Sequence, residues 1–316
     1  MDRNAVIIVT GAAGFIGSCL TGYLNRKGYF NIIIVDDFND ETKKHNYDEK
    51  KICARVDKEE LFDWLNRYKI RIDFIFHLGA YTQSSKQPYS VLREINTSYS
   101  KKIWDYCTVK KIPLVYTSFD GLQQRNNENE MQSGFDSWVI KQYNEEKLSP
   151  PFWAALNLSR VYGPNEYHKG SGASLVLQYF EQVSRKGKIT LQKLPGNPST
   201  ANERDYDFVY VKDVVDVCYW MMQKSAEDDG CPASRFYDVG SGFTHSYAEI
   251  ADEIFKSAGR EAVIEYVDTN EDYPVDFVKV ADISKLRNAG YKKEFYSLAD
   301  GVRTYVMHFL SENKYY

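Results

Sequence analysis

The sequence predicts an α/β fold, a doubly wound parallel sheet (Rossmann-like) that carries a smaller C-terminal α/β lobe. Two observations predict it. Over the first half of the 316-residue chain, short apolar strand patterns alternate with amphipathic helix patterns, as in successive right-handed βαβ units. The first strand pattern also runs directly into a turn that contains three glycines, Gly11, Gly14 and Gly17, and such a turn is typical of this fold class.

The glycine turn joins the predicted strand 5–10 to a helix that begins with Phe15 and Ile16. Without Cβ atoms, its backbone N–H groups can approach a pyrophosphate, whose charge the helix N-terminus favours. The second predicted strand, 31–35, ends at Asp36, where a carboxylate can accept from the hydroxyls of an adenosine ribose. We therefore expect a dinucleotide to lie over the three glycines, Phe15, Ile16 and Asp36. The alternative is a tight turn that binds nothing.

The remaining elements follow from apolar spacing. Further strands are predicted at 72–76, 112–117 and 152–158, and helices at about 15–28, 58–68, 90–110 and 136–148. After Gly163-Pro164 the pattern changes to helix 172–186, strand 208–211, a helix from Asp213, strand 235–239, helix 246–258, strand 262–266 and helix 283–289. We expect a dinucleotide-binding domain over 1–168, with segments returning near 207–242, and a mainly substrate-binding lobe over 169–316. The polar stretch 120–135 predicts an exposed loop.

Composition excludes several classes of protein. The net charge of −4 and the lack of a long basic run argue against a nucleic-acid partner. Five cysteines without a CxxC pair predict reduced thiols and no zinc site, and the histidines form no metal-binding set. The chain starts almost at a core strand, and its apolar runs are too short to span a membrane. These features predict a cytoplasmic protein without a membrane partner.

Three segments carry a resemblance. Val161–Gly170 reads VYGPNEYHKG, Asp207–Val214 reads DFVYVKDV, and Ala281-Asp282 runs on to Ala289-Gly290-Tyr291. In these segments the chain resembles the extended short-chain dehydrogenase/reductase family, whose members oxidise and reduce nucleotide-bound sugars. Within that family it is similar to the ADP-L-glycero-D-manno-heptose 6-epimerases. The resemblance implies an isomerase-type activity, a nucleotide-sugar substrate similar to ADP-heptose, and a homo-oligomer.

The identity of the dinucleotide is open at this point. An acidic residue at position 36 favours NAD. The resemblance, however, places Lys43 and Lys58 at the ribose 2′-phosphate, and their charges would favour NADP. It also places Asn96 and Lys141 against the cofactor. We expect NADP, with NAD as the alternative.

The catalytic pattern of the resembled family is altered. In that family a Tyr and a Lys at i and i+4 on one helix act with a Ser or Thr at the end of the fourth strand. Here Lys141 matches the lysine, whereas Ser137 stands at the tyrosine and Phe119 at the hydroxyl-bearing position. A serine hydroxyl is shorter than a phenol, and its pKa is far above the value of about 10 that is usual for tyrosine. Ordinary 6-epimerase turnover is therefore expected to be weak or absent.

Two other registers remain open. Ser118 could donate the hydrogen bond if the strand end shifts by one residue. Tyr143 and Lys147 form a literal YxxxK, although Ser149-Pro150-Pro151 would end their helix directly afterwards.

The predicted substrate site is also altered. Arg160 stands where the family has an asparagine, and Asp205-Tyr206 separate the nearest arginine from the Asp207 motif. The candidate substrate-binding residues are His168, Lys169, Ser171, Ser174, Arg204 and Tyr273.

Three functional hypotheses are compatible with the sequence. The first is a nucleotide-sugar epimerase or oxidoreductase with altered acid–base residues. The second is a non-catalytic relative that binds NAD(P) and a sugar nucleotide. The third is an enzyme of the same fold that acts on a different substrate, with Phe119, Ser137 and Trp138 reshaping its pocket.

Overall fold

A computed structural model of the chain describes residues 1–79, 89–118, 134–193, 206–227, 236–268 and 280–316. The strands are β1 Ile7–Thr10, β2 Ile32–Asp36, β3 Ala54–Asp57, β4 Phe74–His77, β5 Leu114–Thr117, β6 Trp153–Leu158, β7 Arg160–Tyr162, β8 Ile189–Gln192, β9 Tyr206–Tyr210, β10 Phe236–Val239, β11 Thr244–His245 and β12 Ile264–Val267. The α-helices are α1 Phe15–Arg26, α2 Leu61–Tyr68, α3 Tyr89–Lys110, α4 Phe135–Lys141, α5 Leu175–Lys186, α6 Val211–Lys224, α7 Tyr247–Ala258, α8 Ser284–Asn288 and α9 Leu298–Tyr305. Short 3₁₀-helices cover Glu41–Asn46 and Tyr167–Gly172, and π-helical turns cover Gln142–Glu146 and Val306–Leu310.

The main sheet has seven strands in the order β10-β6-β5-β4-β1-β2-β3, and each of its strand pairs is parallel. The chain moves outward from β1 to β3 and then crosses over to β4 on the other side of β1. Strand order therefore reverses between β1 and β4. In open α/β sheets a ligand crevice lies at such a point, outside the carboxyl ends of the strands.

The central strands are buried on both faces. In β1, Ile7 and Val9 enter one apolar core and Ile8 enters the other, because successive side chains of a strand point to opposite faces. Helix α6 packs across α1 on the first face. This two-sided burial explains the unbroken apolar runs that predicted a parallel sheet, and the predicted fold class is confirmed.

The C-terminal part forms two further small sheets, β11-β9-β7 and β12-β8. Helix α7 begins with a capping box, in which the Ser246 hydroxyl accepts from Glu249 N and the Glu249 carboxylate accepts from Ser246 N. Among the residues that the structure describes, no helix is long and apolar enough to cross a membrane.

Two local predictions differ from the structure. Strand β3 was not predicted, since only Val56 of its four residues is buried and the strand lacks an apolar run. The helix predicted over 136–148 is α4 followed by the π-helical turn, and it ends at Lys147, whose φ is 55°. The predicted loop 120–135 lies almost wholly outside the described residues.

One buried carboxyl group makes the stability of the fold depend on pH. Asp213, in the first turn of α6, is fully buried. Its Oδ2 accepts from Tyr296 N at 2.8 Å, and within the described ranges no donor reaches Oδ1. Burial raises the pKa of Asp213 to about 7. The folded state therefore favours the protonated carboxyl, and this group's contribution to stability is lost as the pH rises from its unfolded pKa through 7.

We expect Asp213→Asn to raise the free energy of unfolding by about 1–3 kcal/mol at pH 8, because it removes an incompletely paired buried charge. At pH 4 it should change stability little. Urea unfolding at the two pH values measures the difference. Asp216→Asn, on the same helix, is the control: the Asp216 carboxylate accepts from the Tyr291 hydroxyl at 2.9 Å and pairs with Lys293 at 3.0 Å, so this variant should lose stability at pH 8. An equal effect of Asp213→Asn at both pH values would contradict the assignment.

Candidate functional site

The glycine turn lies directly at the switch point of the sheet. Gly11 has a φ of 69°, and a Cβ there would lie 2.6 Å from the backbone of Gly79, just beyond β4. A Cβ on Gly17 would lie 2.1 Å from the Gly11 carbonyl oxygen. Backbone contacts thus require both glycines, and they bring α1 tightly against the ends of β1 and β4.

Gly14 has a different role. It is the N-cap of α1, and no side chain caps this helix start. A Cβ on Gly14 would have one close neighbour, the Gly11 carbonyl oxygen at 3.2 Å. The space beyond Gly14 is therefore accessible to a ligand, and the first-turn N–H groups of α1 favour an anionic one.

Asp36, at the end of β2, is buried beside this turn. Its Oδ2 accepts from Ala13 N at 2.9 Å, and its Oδ1 accepts from Asp37 N at 2.8 Å. Lys43 Nζ forms an ion pair with the same Oδ1 at 3.3 Å, and Lys58 N donates to the Asp36 carbonyl at 3.0 Å. The structure thus brings the side chain of Lys43 and the backbone of Lys58 to the acidic residue that sequence reasoning had selected with them.

These features fit the adenosine half and the pyrophosphate of a dinucleotide. The uncapped helix start is suited to a phosphate. Asp36 Oδ2 accepts from one donor, Ala13 N, and retains a lone pair for a ribose hydroxyl, whereas Oδ1 already accepts from Asp37 N and Lys43 Nζ. Two close backbone approaches form the cradle, and side chains at Gly11 or Gly17 would force these segments apart.

A chain of buried hydrogen bonds connects α3 to the residues next to the glycine turn. Ser100 Oγ donates to the Asn96 carbonyl at 2.7 Å and accepts from His77 Nε2 at 2.8 Å. His77 Nδ1 accepts from Thr10 Oγ1 at 2.7 Å, which in turn accepts from Gly79 N at 3.3 Å. Burial lowers the pKa of His77 to about 4, so the ring is neutral at pH 7. Asn96 thus contributes its backbone carbonyl to a chain that ends at the turn.

The predicted catalytic region converges on a carboxylate that sequence reasoning missed. The Tyr116 hydroxyl donates to Asp136 Oδ1 at 2.9 Å, and the Ser118 hydroxyl donates to Asp136 Oδ2. Ser118 follows the carboxyl end of β5, and Asp136 lies in the first turn of α4. Ser137 is the next residue and is half-buried, and Lys141 ends the helix with an exposed side chain. An acidic residue at a helix start was the available signal, but it indicates a cap as readily as a site.

Phe119 lies outside the described residues. The contacts of the described residues do not test the role predicted for Lys141 at the cofactor or the one predicted for Ser118. Both roles remain predictions.

The alternative pair, Tyr143 and Lys147, lies near the amino ends of the strands, at the opposite end from the glycine turn. The Tyr143 ring packs edge-on against Trp153 at 5.4 Å, and Trp153 begins β6 opposite Leu114, the first residue of β5. Lys147 is exposed. The glycine turn, in contrast, follows the carboxyl end of β1. The structure does not bring this pair to the turn.

The loop between β7 and α5 comes to the dinucleotide side of the site. Asn46 donates through Nδ2 to the Ala13 carbonyl at 2.9 Å, and the same nitrogen lies 3.2 Å from His168 Nδ1. Lys169 Nζ lies 5.3 Å from the centre of the Phe15 ring. Two residues that were predicted to bind substrate thus lie beside the glycine turn.

The two serines of this loop differ in their surroundings. Ser174 is the N-cap of α5, and its hydroxyl donates at 2.6 Å to Glu166. Burial raises the pKa of Glu166. Ser171 is exposed, and its carbonyl accepts from Gln178 at 3.3 Å. Ser174 therefore has a clear structural role.

Arg160 begins β7, two residues beyond the end of β6. Its guanidinium lies 3.9 Å from the centre of the Tyr206 ring, and Tyr206 stacks on Tyr247 at 5.3 Å. An arginine is thereby held against an aromatic ring at the carboxyl ends of the strands, where it can donate to an anionic group. The other two candidate substrate residues, Arg204 and Tyr273, lie outside the described residues.

A separate groove of about 940 Å³ lies in the C-terminal lobe. Its walls include Phe243, His245, Glu249, Arg287 and Tyr296, and none of the predicted site residues within the described ranges lines it. In the described part of the chain, no group of three His, Cys, Asp or Glu side chains is arranged to hold a metal ion.

The sequence matches the model of the NAD dependent epimerase/dehydratase family over residues 7–130 and 136–240. This chain belongs to that family. Membership agrees with the parallel sheet and the glycine turn, and it supports a nicotinamide dinucleotide as the cofactor of this family member.

Curated relatives show which members of the family this chain resembles. The ADP-L-glycero-D-manno-heptose-6-epimerase of Fusobacterium nucleatum is 31% identical over an alignment of 341 positions, gaps included, which covers 98% of this chain and 100% of the relative. The enzyme of the same name from Nitratidesulfovibrio vulgaris is 28% identical over 96% of this chain and 98% of its own length. This family member therefore resembles heptose 6-epimerases over nearly its whole length.

Solved structures of the family share the fold. The Helicobacter pylori ADP-L-glycero-D-manno-heptose-6-epimerase aligns with a TM-score of 0.78 and 21% identity, covering 97% of each chain. The Thermus thermophilus UDP-glucose 4-epimerase, solved with NAD, aligns with a TM-score of 0.72 and 22% identity over 96% of this chain and 98% of that one.

The roles of the glycines can be separated experimentally. We expect Gly14→Val to fold normally yet to lose NADP and NAD binding by at least a hundredfold, because its side chain would occupy the pyrophosphate position. Gly17→Ala should instead destabilise the protein, because its Cβ would overlap a backbone carbonyl. Titration calorimetry and thermal melting measure the two effects. Binding by Gly14→Val equal to that of the parent would place the dinucleotide elsewhere.

Proposed function

We propose that this chain is a nucleotide-sugar epimerase or oxidoreductase with an altered acid–base site. It binds NADP(H) over Gly11, Gly14 and Gly17. The observation that supports this most strongly is the uncapped start of α1 at the switch point, next to a buried Asp36 that is paired with Lys43.

The Asp36–Lys43 ion pair is the reason to prefer NADP. A lone carboxylate at the ribose would repel a 2′-phosphate, whereas an ion pair at 3.3 Å offsets the negative charge. Lys58 follows β3, and its backbone N–H donates to the Asp36 carbonyl; we propose that its side chain supplies a second cation there. NAD remains the alternative if Asp36 alone determines the choice.

We expect the double variant Lys43→Ala/Lys58→Ala to bind NADP and NAD with equal affinity, whereas the parent prefers NADP by roughly tenfold or more. Calorimetric dissociation constants for both dinucleotides give the ratio. Lys44→Ala, an exposed neighbour, is the matched control and should keep the parental ratio. An unchanged preference in the double variant would refute a role for the two lysines.

The substrate in this proposal is a nucleotide sugar similar to ADP-heptose, which the heptose epimerases among the relatives indicate. Arg160, stacked on Tyr206 at the carboxyl edge of the sheet, supplies a guanidinium suited to a diphosphate. His168, Lys169, Ser171, Ser174, Arg204 and Tyr273 remain candidates for the same pocket. A homo-oligomer and a cytoplasmic location belong to the proposal as well.

The acid–base site is where this chain departs from the family pattern. The dinucleotide supplies a hydride acceptor or donor when bound. The Ser118 hydroxyl, however, already donates to Asp136, so that its proton is not directed at a substrate oxygen. Ser137 lacks both the reach and the acidity of a phenol, and Lys141 remains suited to the nicotinamide ribose. Because loss of a general base costs roughly 10²–10⁴ in rate, we propose weak or absent 6-epimerase turnover.

Two alternatives share the same cofactor site. A non-catalytic relative would bind NADP and a sugar nucleotide without turnover. An enzyme directed at another substrate would use the Asp136 cluster in a pocket that Ser137 and Trp138 reshape. The fixed position of Asp136, with hydrogen bonds from two side chains, favours a reorganised site over simple loss.

We expect little or no 6-epimerisation when the NADP-loaded protein is incubated with ADP-heptose, as measured by NMR of the sugar C6 configuration. The Fusobacterium nucleatum enzyme serves as the positive control. If the site has only lost residues, Phe119→Ser/Ser137→Tyr should raise turnover at least tenfold. If it has been redirected, this double variant should gain nothing. Full turnover by the parent would overturn the proposed acid–base site and return attention to Tyr143 and Lys147.

A further inference from the structure

His168 stands among the charges of the adenosine end of the dinucleotide site. It lies in the 3₁₀-helix Tyr167–Gly172 and is half-buried. Lys43, Lys169, Asp40 and Asp36 all act on its charge. Three of these four residues belong to β2 and the segment that follows it, which are the elements that carry the predicted ribose contacts.

Asn46 fixes the hydrogen-bonding state of this ring. Its Nδ2 donates to the Ala13 carbonyl at 2.9 Å and to the Asn165 carbonyl at 3.1 Å, which identifies this atom as the amide nitrogen. The same nitrogen lies 3.2 Å from His168 Nδ1. The amide has two hydrogens for three acceptors, so one of them is shared with His168 Nδ1. Because an amide nitrogen cannot accept, a proton on Nδ1 would point at a donor, and the proton of a neutral ring therefore resides on Nε2.

The ring is neutral in the ligand-free protein. Burial, together with the charges of Lys43 and Lys169, lowers the pKa of His168 to about 4. A neutral imidazole whose Nδ1 already accepts from Asn46 has one function left, which is to donate from Nε2. The nearby lysines make the surroundings suitable for an anion as the acceptor.

We propose that His168 donates from Nε2 to the ribose 2′-phosphate of NADP and thereby helps to distinguish NADP from NAD. This inference rests on the proposed dinucleotide site and deepens it. It moves His168 from the substrate side to the cofactor side. Lys43 supplies charge there, whereas His168 supplies a donor whose direction Asn46 fixes.

Further hydrogen bonds fix the position of the loop that carries His168. Asn46 is buried and joins the glycine turn to the Asn165 carbonyl. Asn165 is itself held by its Nδ2, which donates to Ser18 Oγ at 2.9 Å, and by its Oδ1, which accepts from Tyr316 N at 2.8 Å. The loop that carries His168 is therefore tied to α1, whose start forms the phosphate end of the same site.

The test compares the affinities of NADP and NAD for the full chain by titration calorimetry. His168→Leu should weaken NADP binding roughly tenfold or more, the size expected for loss of a hydrogen bond to a charged group, and leave NAD binding within twofold. His168→Gln, whose amide nitrogen can take the place of Nε2, should recover most of the NADP affinity. His45→Leu, an exposed histidine in the neighbouring 3₁₀-helix, should change neither affinity.

Any other result would overturn the inference, and each such result would indicate a different cause. Equal weakening of NADP and NAD by His168→Leu would place the contact elsewhere on the dinucleotide or give the residue a purely structural role. Unchanged NADP affinity in His168→Leu would remove His168 from the site while the proposed cofactor stands. A parent protein that binds neither dinucleotide would overturn the proposed function and this inference together.

Discussion

The close approach of three backbone segments at the switch point is the constraint on which the site depends. Gly17 rests against the carbonyl of Gly11, and Gly11 rests against Gly79, at distances that no side chain would permit. This contact fixes the start of α1 between the ends of β1 and β4. Because the helix start carries uncapped N–H groups, the same contact creates a position that favours an anion.

Buried polar groups then extend this constraint outward. Asp36 binds Ala13 of the turn and holds Lys43, and Asn46 joins the same turn to the loop that carries His168. Each of these groups is satisfied by several partners, so each is costly to displace. The predicted adenosine end of the site is thus already organised by the protein's own hydrogen bonds, and such organisation lowers the ordering cost of binding.

The other end of the crevice is organised around Asp136. Hydrogen bonds from Tyr116 and Ser118 hold this carboxylate between β5 and α4, where the resemblance predicts a free hydroxyl and a phenol. The proposed change of function therefore concerns this end of the crevice and leaves the predicted cofactor end as the family pattern has it. A bound dinucleotide is compatible with all three functional hypotheses, and the chemistry at Asp136, Ser137 and Lys141 distinguishes among them.

The sequence by itself determined the fold class, the glycine turn and the position of Asp36 at the end of β2. Apolar periodicity and glycine spacing are local signals, and the sequence shows them directly. It did not predict β3, whose residues are mostly only part-buried. Nor did it reveal the Asp136 cluster or the position of His168, which lies 122 residues from its partner Asn46. Only the tertiary structure decided these points, because hydrogen bonds between distant segments depend on how the strands are ordered, and no local pattern records that order.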